Sequence, residues 1–169
     1  LHEGCLVLSC GLWVRDHYKN DLYFRLLNQS IIDCIEQVIG PQGLTQRGFS
    51  DIVRGDKKLA GTSLFRSRNY LLYQASLLVD TQIEKIEAYL QHPSKEPDYR
   101  KGRTHRDFIE GLSILSSKEP EAWAEVFALG WEEQVRARME GELLETQPSQ
   151  AQHIKNRVGE LMPLDLGQD

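Results

Sequence analysis

The chain has 169 residues, of which 40% are hydrophobic and 27% are charged, and this balance favours one folded domain with a hydrophobic core over a disordered chain. The formal net charge of −5 argues against a general nucleic-acid-binding protein. No apolar run approaches the ~20 residues of a membrane-spanning helix, and no leader sequence is evident. We therefore expect a cytoplasmic protein that binds neither nucleic acid nor membrane.

Three further features of the sequence limit the kinds of protein and site that we expect. Cys5, Cys10 and Cys34 are odd in number and lack C-x-x-C spacing, so we expect buried thiols and neither a disulfide framework nor a zinc site. His105 has no second histidine or carboxylate at i+4, so no metal site is predicted there. The sequence begins at Leu1 without methionine and enters an apolar stretch almost at once, so we expect it to be part of a longer protein.

The first half of the chain alternates between predicted strands and one long helix. The nearly continuous apolar run of residues 6–14 predicts a buried strand. Apolar residues at helical spacing predict an amphipathic helix over residues 22–39, capped by Asn20 or Asp21. Three strands are then expected within residues 48–80.

Helical spacing dominates the second half of the chain. A helix is predicted over residues 82–90, and Thr104 is expected to cap another over residues 105–115. The clearest helix runs over residues 120–139, and a last amphipathic helix is predicted over residues 150–161.

Two adjacent lysines, Lys57 and Lys58, lie in the middle one of the three predicted strands. Strand alternation places Lys58 on one face with Ala60 and Thr62, and turns Lys57 to the other face with Leu59. Small side chains beside a lysine would let the carbonyl or phosphate of a ligand approach the backbone closely. We therefore predict that Lys58, and not Lys57, belongs to a binding or catalytic site.

Several motifs follow one another in an order and spacing that resemble one enzyme family. They are a strand led by Ser50-Asp51, a turn at Gly55-Asp56, the sequence Lys-Leu-Ala-Gly, an arginine-bearing hairpin (FRSRN, residues 65–69), a returning strand (LLYQASLL, residues 71–78) and a basic segment (PDYRKGRTHRDF, residues 97–108). Over roughly residues 1–115 this series resembles the catalytic domain shared by lipoate-protein ligases, octanoyltransferases and biotin ligases. The hairpin and the R-x-H-x-x-F segment favour the lipoate type.

The resemblance implies both a fold and a reaction. The implied fold is α+β, a mixed β-sheet flanked by helices as in the class II synthetase-like ligases, with residues 1–118 as a portion of the catalytic domain and residues 119–169 as a helical extension packed on it. The implied reaction attaches lipoate or octanoate to lysines of lipoyl domains by way of an acyl-adenylate. The substrates would be a small acyl compound such as lipoate or lipoyl-AMP, ATP with Mg²⁺, and an acidic lipoyl-domain protein.

The resemblance also suggests which residues do this chemistry. A strand-borne cation can stabilise charge on an acyl carbonyl and a phosphate, which is the role expected of Lys58. Asp51 either forms the turn that starts its strand or lies beside the reacting acyl group. The residues expected to bind the substrate or adenylate are Asp51, Ala60, Gly61, Thr62, Ser63 and Ser76. The residues expected to dock the acceptor, converging around Lys58, are Arg66, Arg68, Arg100 and Arg103.

Three other interpretations stay open at the level of sequence. A biotin ligase would use the same adenylate chemistry. An octanoyltransferase would need an activated cysteine, but all three cysteines precede residue 35. A non-catalytic binding module that keeps the fold would fit two departures from the family: the Arg-Arg-x-x-Gly-Gly-Gly loop does not occur in this sequence, and Tyr73-Gln74-Ala75 stands where His and Gly are common.

Overall fold

Five strands form one sheet in the computed structural model, which describes residues 4–16, 19–91, 93 and 95–144. The strands are β1 (Cys5–Trp13), β2 (Leu44–Arg47), β3 (Asp51–Arg54), β4 (Lys57–Ser67) and β5 (Tyr70–Leu78). Their spatial order is β1-β5-β4-β3-β2, and each neighbouring pair is antiparallel. An isolated parallel bridge joins Lys58 to Ile109.

Four α-helices accompany the sheet within the described ranges. They are α1 (Asn20–Ile39), α2 (Ile83–Tyr89), α3 (His105–Phe108) and α4 (Pro120–Arg138), with short 3-10 helices at Asp98–Arg100 and Leu112–Ile114. The α+β class and the helix-flanked sheet predicted from the sequence are confirmed. None of the helices in the described part of the chain combines the length and hydropathy that crossing a bilayer requires, and the cytoplasmic location stays a prediction.

The hydrophobic core lies between one face of the sheet and the helices α1 and α4. Tyr73 on β5 donates a hydrogen bond to Asn28 Oδ1 on α1 over 2.7 Å, and Trp131 Nε1 on α4 donates to Ser30 Oγ on α1 over 2.9 Å. Trp123 is fully buried in the same core. Both tryptophans therefore pack in the core, as their helical spacing predicts.

Two local predictions differ from the structure. The first turn of α1 follows Lys19, and neither Asn20 nor Asp21 supplies a side-chain cap. Thr104 does cap α3, accepting a hydrogen bond from the Asp107 backbone N–H, but the helix predicted over residues 105–115 ends at Phe108. It ends because Glu110 N instead donates to Lys58 O over 2.9 Å, which draws the chain to β4.

The C-terminal part of the chain is described as far as residue 144. Helix α4 packs on α1, where Arg138 Nε lies 2.6 Å from Asp33 Oδ2. The predicted helix over residues 150–161 lies outside the described residues. The boundary at residue 119 between catalytic domain and extension stays a prediction.

Candidate active site

An irregularity in strand pairing sets the direction of Lys58. Ile52 on β3 pairs with Ala60 on β4, but the next residue, Val53, pairs with Lys58. Leu59 is therefore an extra residue, a β-bulge, and side-chain alternation changes phase there. The predicted face of Lys58 is wrong for this reason, since the bulge turns it away from Ala60 and toward the face of Gly61.

The ammonium of Lys58 lies over Gly61 and against Asp51. A Cβ built on Gly61 would be 3.1 Å from Lys58 Nζ, so glycine leaves the space that the lysine occupies. Lys58 Nζ is 2.6 Å from Asp51 Oδ1, and the exposed fractions of the two side chains are 28% and 8%. A buried carboxylate thus holds a lysine whose side chain is still partly exposed.

Tyr99 completes this arrangement from a distant part of the chain. Its hydroxyl donates to Asp51 Oδ2 over 2.6 Å, so each oxygen of the carboxylate has a partner. Its ring is held between Phe108, at 5.3 Å between ring centroids, and the Arg47 guanidinium, 5.0 Å from the ring centroid. Burial raises the pKa of the Tyr99 hydroxyl above its ordinary value, and the hydrogen bond to Asp51 raises it further, so the hydroxyl stays protonated and can donate.

The segment that carries Tyr99, and Glu110 just after it, are held against β3 and the β3–β4 turn. Arg103 Nη2 donates to the carbonyl of Tyr99 over 2.8 Å and to that of Asp56, in the β3–β4 turn, over 3.0 Å. Arg54 Nη2 lies 2.7 Å from the carboxylate of Glu110, and this side-chain hydrogen bond raises the pKa of Arg54. The basic segment therefore has a structural role and forms one side of the site.

The residues predicted to bind substrate divide between the two faces of the sheet. Gly61 pairs with both Asp51 and Ser76, and directly paired residues share a face, so these three lie with Lys58. Ser63 is exposed on that same face. Ala60 and Thr62 face the core, where Ala60 is fully buried and the Thr62 hydroxyl donates to Ser50 O over 3.0 Å. Their side chains therefore do not share the face of Lys58, and their part in binding a substrate stays a prediction.

The four arginines predicted to dock an acceptor do not converge on Lys58. Arg66 lies eight residues farther along β4, about 25 Å away, and its guanidinium stacks on Tyr23 at 5.9 Å. Arg68 is exposed in the turn beyond it. Arg100 lies near the site but is only 5% exposed and packs on Phe108, 4.7 Å from the ring centroid. Because Arg103 is engaged with backbone carbonyls, the predicted patch is not formed by these side chains.

Two of the three cysteines, Cys10 and Cys34, lie in surroundings that disfavour a thiolate. No disulfide joins them, and Cys34 is buried while Cys5 and Cys10 are half-buried. Burial raises the pKa of Cys10 to about 12 and that of Cys34 to about 11, so both stay protonated thiols at neutral pH. A covalent acyl-cysteine at either position is disfavoured.

A groove of about 440 Å³ lies outside the Lys58 site, between β1 and α4, where residues such as Trp13, Trp131 and Val135 line it. Within the described ranges, no group of three or more His, Cys, Asp or Glu side chains is placed to hold a metal ion.

Sequence reasoning missed Tyr99 and Glu110 as members of this site. Tyr99 falls within the basic segment quoted above, yet no local pattern marks its hydroxyl as the partner of a carboxylate 48 residues earlier. The spacing between the lysine strand and that segment is the only signal that could have pointed to it.

Comparison with protein families identifies this architecture. The family model of the lipoyl protein ligase A/B catalytic domain matches residues 1–124. The chain belongs to this family. No curated protein matches the sequence.

Solved structures of ligase catalytic domains share the fold. A bi-partite lipoate protein ligase from Thermoplasma acidophilum, described with its E2 lipoyl domain, superposes with a TM-score of 0.64 at 13% identity, covering 94% of this chain and 60% of that one. A lipoate-protein ligase A bound with ATP gives 0.61 at 15% identity, covering 94% and 62%. A biotin protein ligase from Aquifex aeolicus in complex with biotin and ATP gives 0.52 at 17% identity, covering 82% and 53%.

These similarities establish that the chain has the fold of lipoyl protein ligase A/B catalytic domains, a fold that biotin protein ligases share. The chain spans 60–62% of the length of the two lipoate ligases to which it is similar. Lys58, Asp51 and Tyr99 thus lie in a fold that ligase catalytic domains share.

Proposed function

We propose that this protein transfers a lipoyl or octanoyl group from an acyl-adenylate to a lysine of a lipoyl domain, with Lys58 as the catalytic cation. The observation that carries the proposal is the Lys58 ammonium, held 2.6 Å from Asp51 over Gly61 with part of its surface open to a ligand. A lysine has three N–H donors, and Asp51 occupies one of them.

The remaining N–H donors of Lys58 can stabilise the negative charge that develops during this reaction. The neutral amine of the acceptor attacks the acyl carbonyl, a C–N bond forms, the C–O bond to the phosphate breaks, AMP leaves and the amine proton passes to solvent. Negative charge builds on the carbonyl oxygen and then on the departing phosphate. An ammonium placed beforehand beside both oxygens stabilises that charge more in the transition state than in the ground state.

The sheet around Lys58 supplies room for such a ligand. Gly61, Ser63 and Ser76 are small residues on the same face, so an acyl chain or phosphate can approach the strands closely there. Asp51 lies at the buried edge of this surface and is proposed to orient the lysine. ATP with Mg²⁺ would be the source of the adenylate.

The partner proposed for the protein is an acidic lipoyl domain. The similar T. acidophilum ligase is described with its E2 lipoyl domain, which supports a partner of that class. Biotin ligation is the second candidate, because biotin protein ligases share the fold. The octanoyltransferase route is not favoured, because the pKa values of Cys10 and Cys34 are raised.

The test is transfer from supplied adenylates by the full protein. Lipoyl-AMP, octanoyl-AMP and biotinyl-AMP are each offered with a lipoyl domain and with a biotin carrier domain, and the mass of each acceptor is measured. Lipoylation or octanoylation of the lipoyl domain is expected. Biotinylation alone would establish the second candidate, and tight adenylate binding without transfer to either acceptor would indicate a non-catalytic binding module.

A further inference from the structure

Tyr99 and Lys58 hold the two oxygens of one carboxylate. The Tyr99 hydroxyl is 2.6 Å from Asp51 Oδ2, and Lys58 Nζ is 2.6 Å from Asp51 Oδ1. A carboxylate held through both oxygens cannot rotate without breaking either the hydrogen bond from Tyr99 or the ion pair with Lys58. The direction in which Asp51 presents its second oxygen to the lysine therefore depends on Tyr99.

A lysine side chain needs such an external constraint. It has a flexible four-carbon stem with many accessible rotamers, so it holds one position only where its ammonium is engaged. Gly61 offers the Lys58 ammonium space but no hydrogen bond from a side chain. The side-chain contact described for that ammonium is the one to Asp51.

Tyr99 is itself tied to the turn that joins the two strands of the site. Arg103 Nη2 donates both to the Tyr99 carbonyl and to the Asp56 carbonyl, and Asp56 lies in the turn between Asp51 on β3 and Lys58 on β4. A displacement of the basic segment would thus move the hydroxyl relative to the carboxylate. The basic segment is therefore linked through Arg103 to the turn that precedes the lysine strand.

We propose that Tyr99 is a positioning residue of this site, whose hydroxyl orients Asp51 so that Asp51 holds the Lys58 ammonium over Gly61. The consequence for catalysis rests on the proposed acyl transfer. The consequence for the lysine itself does not depend on acyl transfer. Without the Tyr99 hydroxyl, the Lys58 ammonium would be paired with Asp51 for less of the time.

The experiment compares Tyr99→Phe, Asp51→Asn and the double variant with the wild type. Tyr99→Phe keeps the ring and its contacts with Phe108 and Arg47 and removes only the hydroxyl. Tyr73→Phe is the matched control, because it removes a buried tyrosine hydroxyl that bonds Asn28 in the core. The control is expected to lower the melting temperature without changing either readout below.

The first readout is the chemical availability of Lys58. Limited acetylation with acetic anhydride, followed by peptide mass analysis, gives its labelling rate relative to Lys57. We expect labelling of Lys58 to rise severalfold in Tyr99→Phe and in Asp51→Asn. An unchanged rate in Tyr99→Phe would overturn the proposal, whether or not the protein transfers an acyl group.

The second readout is transfer from lipoyl-AMP to a lipoyl domain. We expect kcat to fall on the order of tenfold in Tyr99→Phe with KM for the adenylate little changed, and no further fall when Tyr99→Phe is added to Asp51→Asn. An equal fall in both backgrounds would show that Tyr99 does not act through Asp51 and would overturn the proposal. An inactive wild type whose Lys58 labelling still rises in Tyr99→Phe would refute the proposed function and support the positioning role.

Discussion

Lys58 crosses directly over Gly61, so close that a Cβ on the glycine would lie 3.1 Å from the ammonium nitrogen and 3.2 Å from Cε. The glycine is required for the path of the lysine side chain. The consequence can be tested without touching any charged group of the site.

Gly61→Ala should therefore reduce transfer while leaving the fold intact. The added methyl must push the flexible end of Lys58 by a few tenths of an ångström, and small displacements of a catalytic group cost about tenfold in rate. Steady-state transfer and thermal melts measure both effects. Gly130→Ala on α4 is the control: its Cβ would meet Cys34 Sγ at an ordinary 3.5 Å, so we expect unchanged transfer and a slightly higher melting temperature.

Lys58→Ala should abolish most of the transfer from supplied lipoyl-AMP, while Lys57→Ala should not. Removing a donor that stabilises developing charge costs on the order of 3 kcal/mol, a hundredfold or more in rate. Lys57 contacts the Arg106 carbonyl at 3.5 Å, outside the site. Parallel assays with both variants and melts of each decide the matter, and equal losses would refute the assignment of Lys58.

Replacing Cys5, Cys10 and Cys34 together by alanine should leave transfer largely intact. The raised pKa values of Cys10, about 12, and of Cys34, about 11, keep these thiols protonated at neutral pH. Cys34 packs in the core, so a lower melting temperature is expected from the lost contacts. Capture of an acyl thioester on any of the three by mass spectrometry would contradict the prediction.

Glu110→Ala should destabilise the fold, because Glu110 is a buried carboxylate paired with Arg54 at 2.7 Å. Hydrogen bonds to charged groups contribute about 1.5–3 kcal/mol, and we expect the lower end since the Arg54 side chain is 35% exposed. Denaturant unfolding measures the change. Glu132→Ala removes the exposed pair with Arg136 on α4 and should cost well under 1 kcal/mol, so a similar loss in both variants would argue against a special role for Glu110.

Asp56 should make the stability depend on pH in the acid range. A hydrogen bond from Arg47, followed by their charge interaction, lowers the pKa of Asp56 below its ordinary value of 3.8. A group with a depressed folded pKa stabilises the protein above its unfolded pKa and loses that contribution as the pH falls through the folded pKa. The melting-temperature difference between wild type and Asp56→Asn should accordingly be constant near neutrality, shrink as the pH falls below about 3.8 and vanish once the pH is below the folded pKa. A difference that persists in strong acid would show another cause.

Much of the fold could be predicted from local sequence patterns. The strands, the long helices and the core positions of Trp123 and Trp131 follow from hydrophobic periodicity, which is a pattern among residues that are neighbours in the sequence. The motif order around Lys58 also predicted the family that the family model confirms. These features depend on residues close together in the chain.

The tertiary structure alone decided how the site is assembled. A one-residue bulge at Leu59 reverses the face predicted for the residues of β4 that precede it. Strict alternation of side chains along a strand cannot predict such a change of phase. The contact between Tyr99 and Asp51 spans 48 residues, and the burial of Arg100 depends on Phe108 folding back over it. The sequence therefore determined which strand carries the candidate lysine. Packing between distant segments determined where Lys58 points, which carboxylate holds it and which hydroxyl holds that carboxylate.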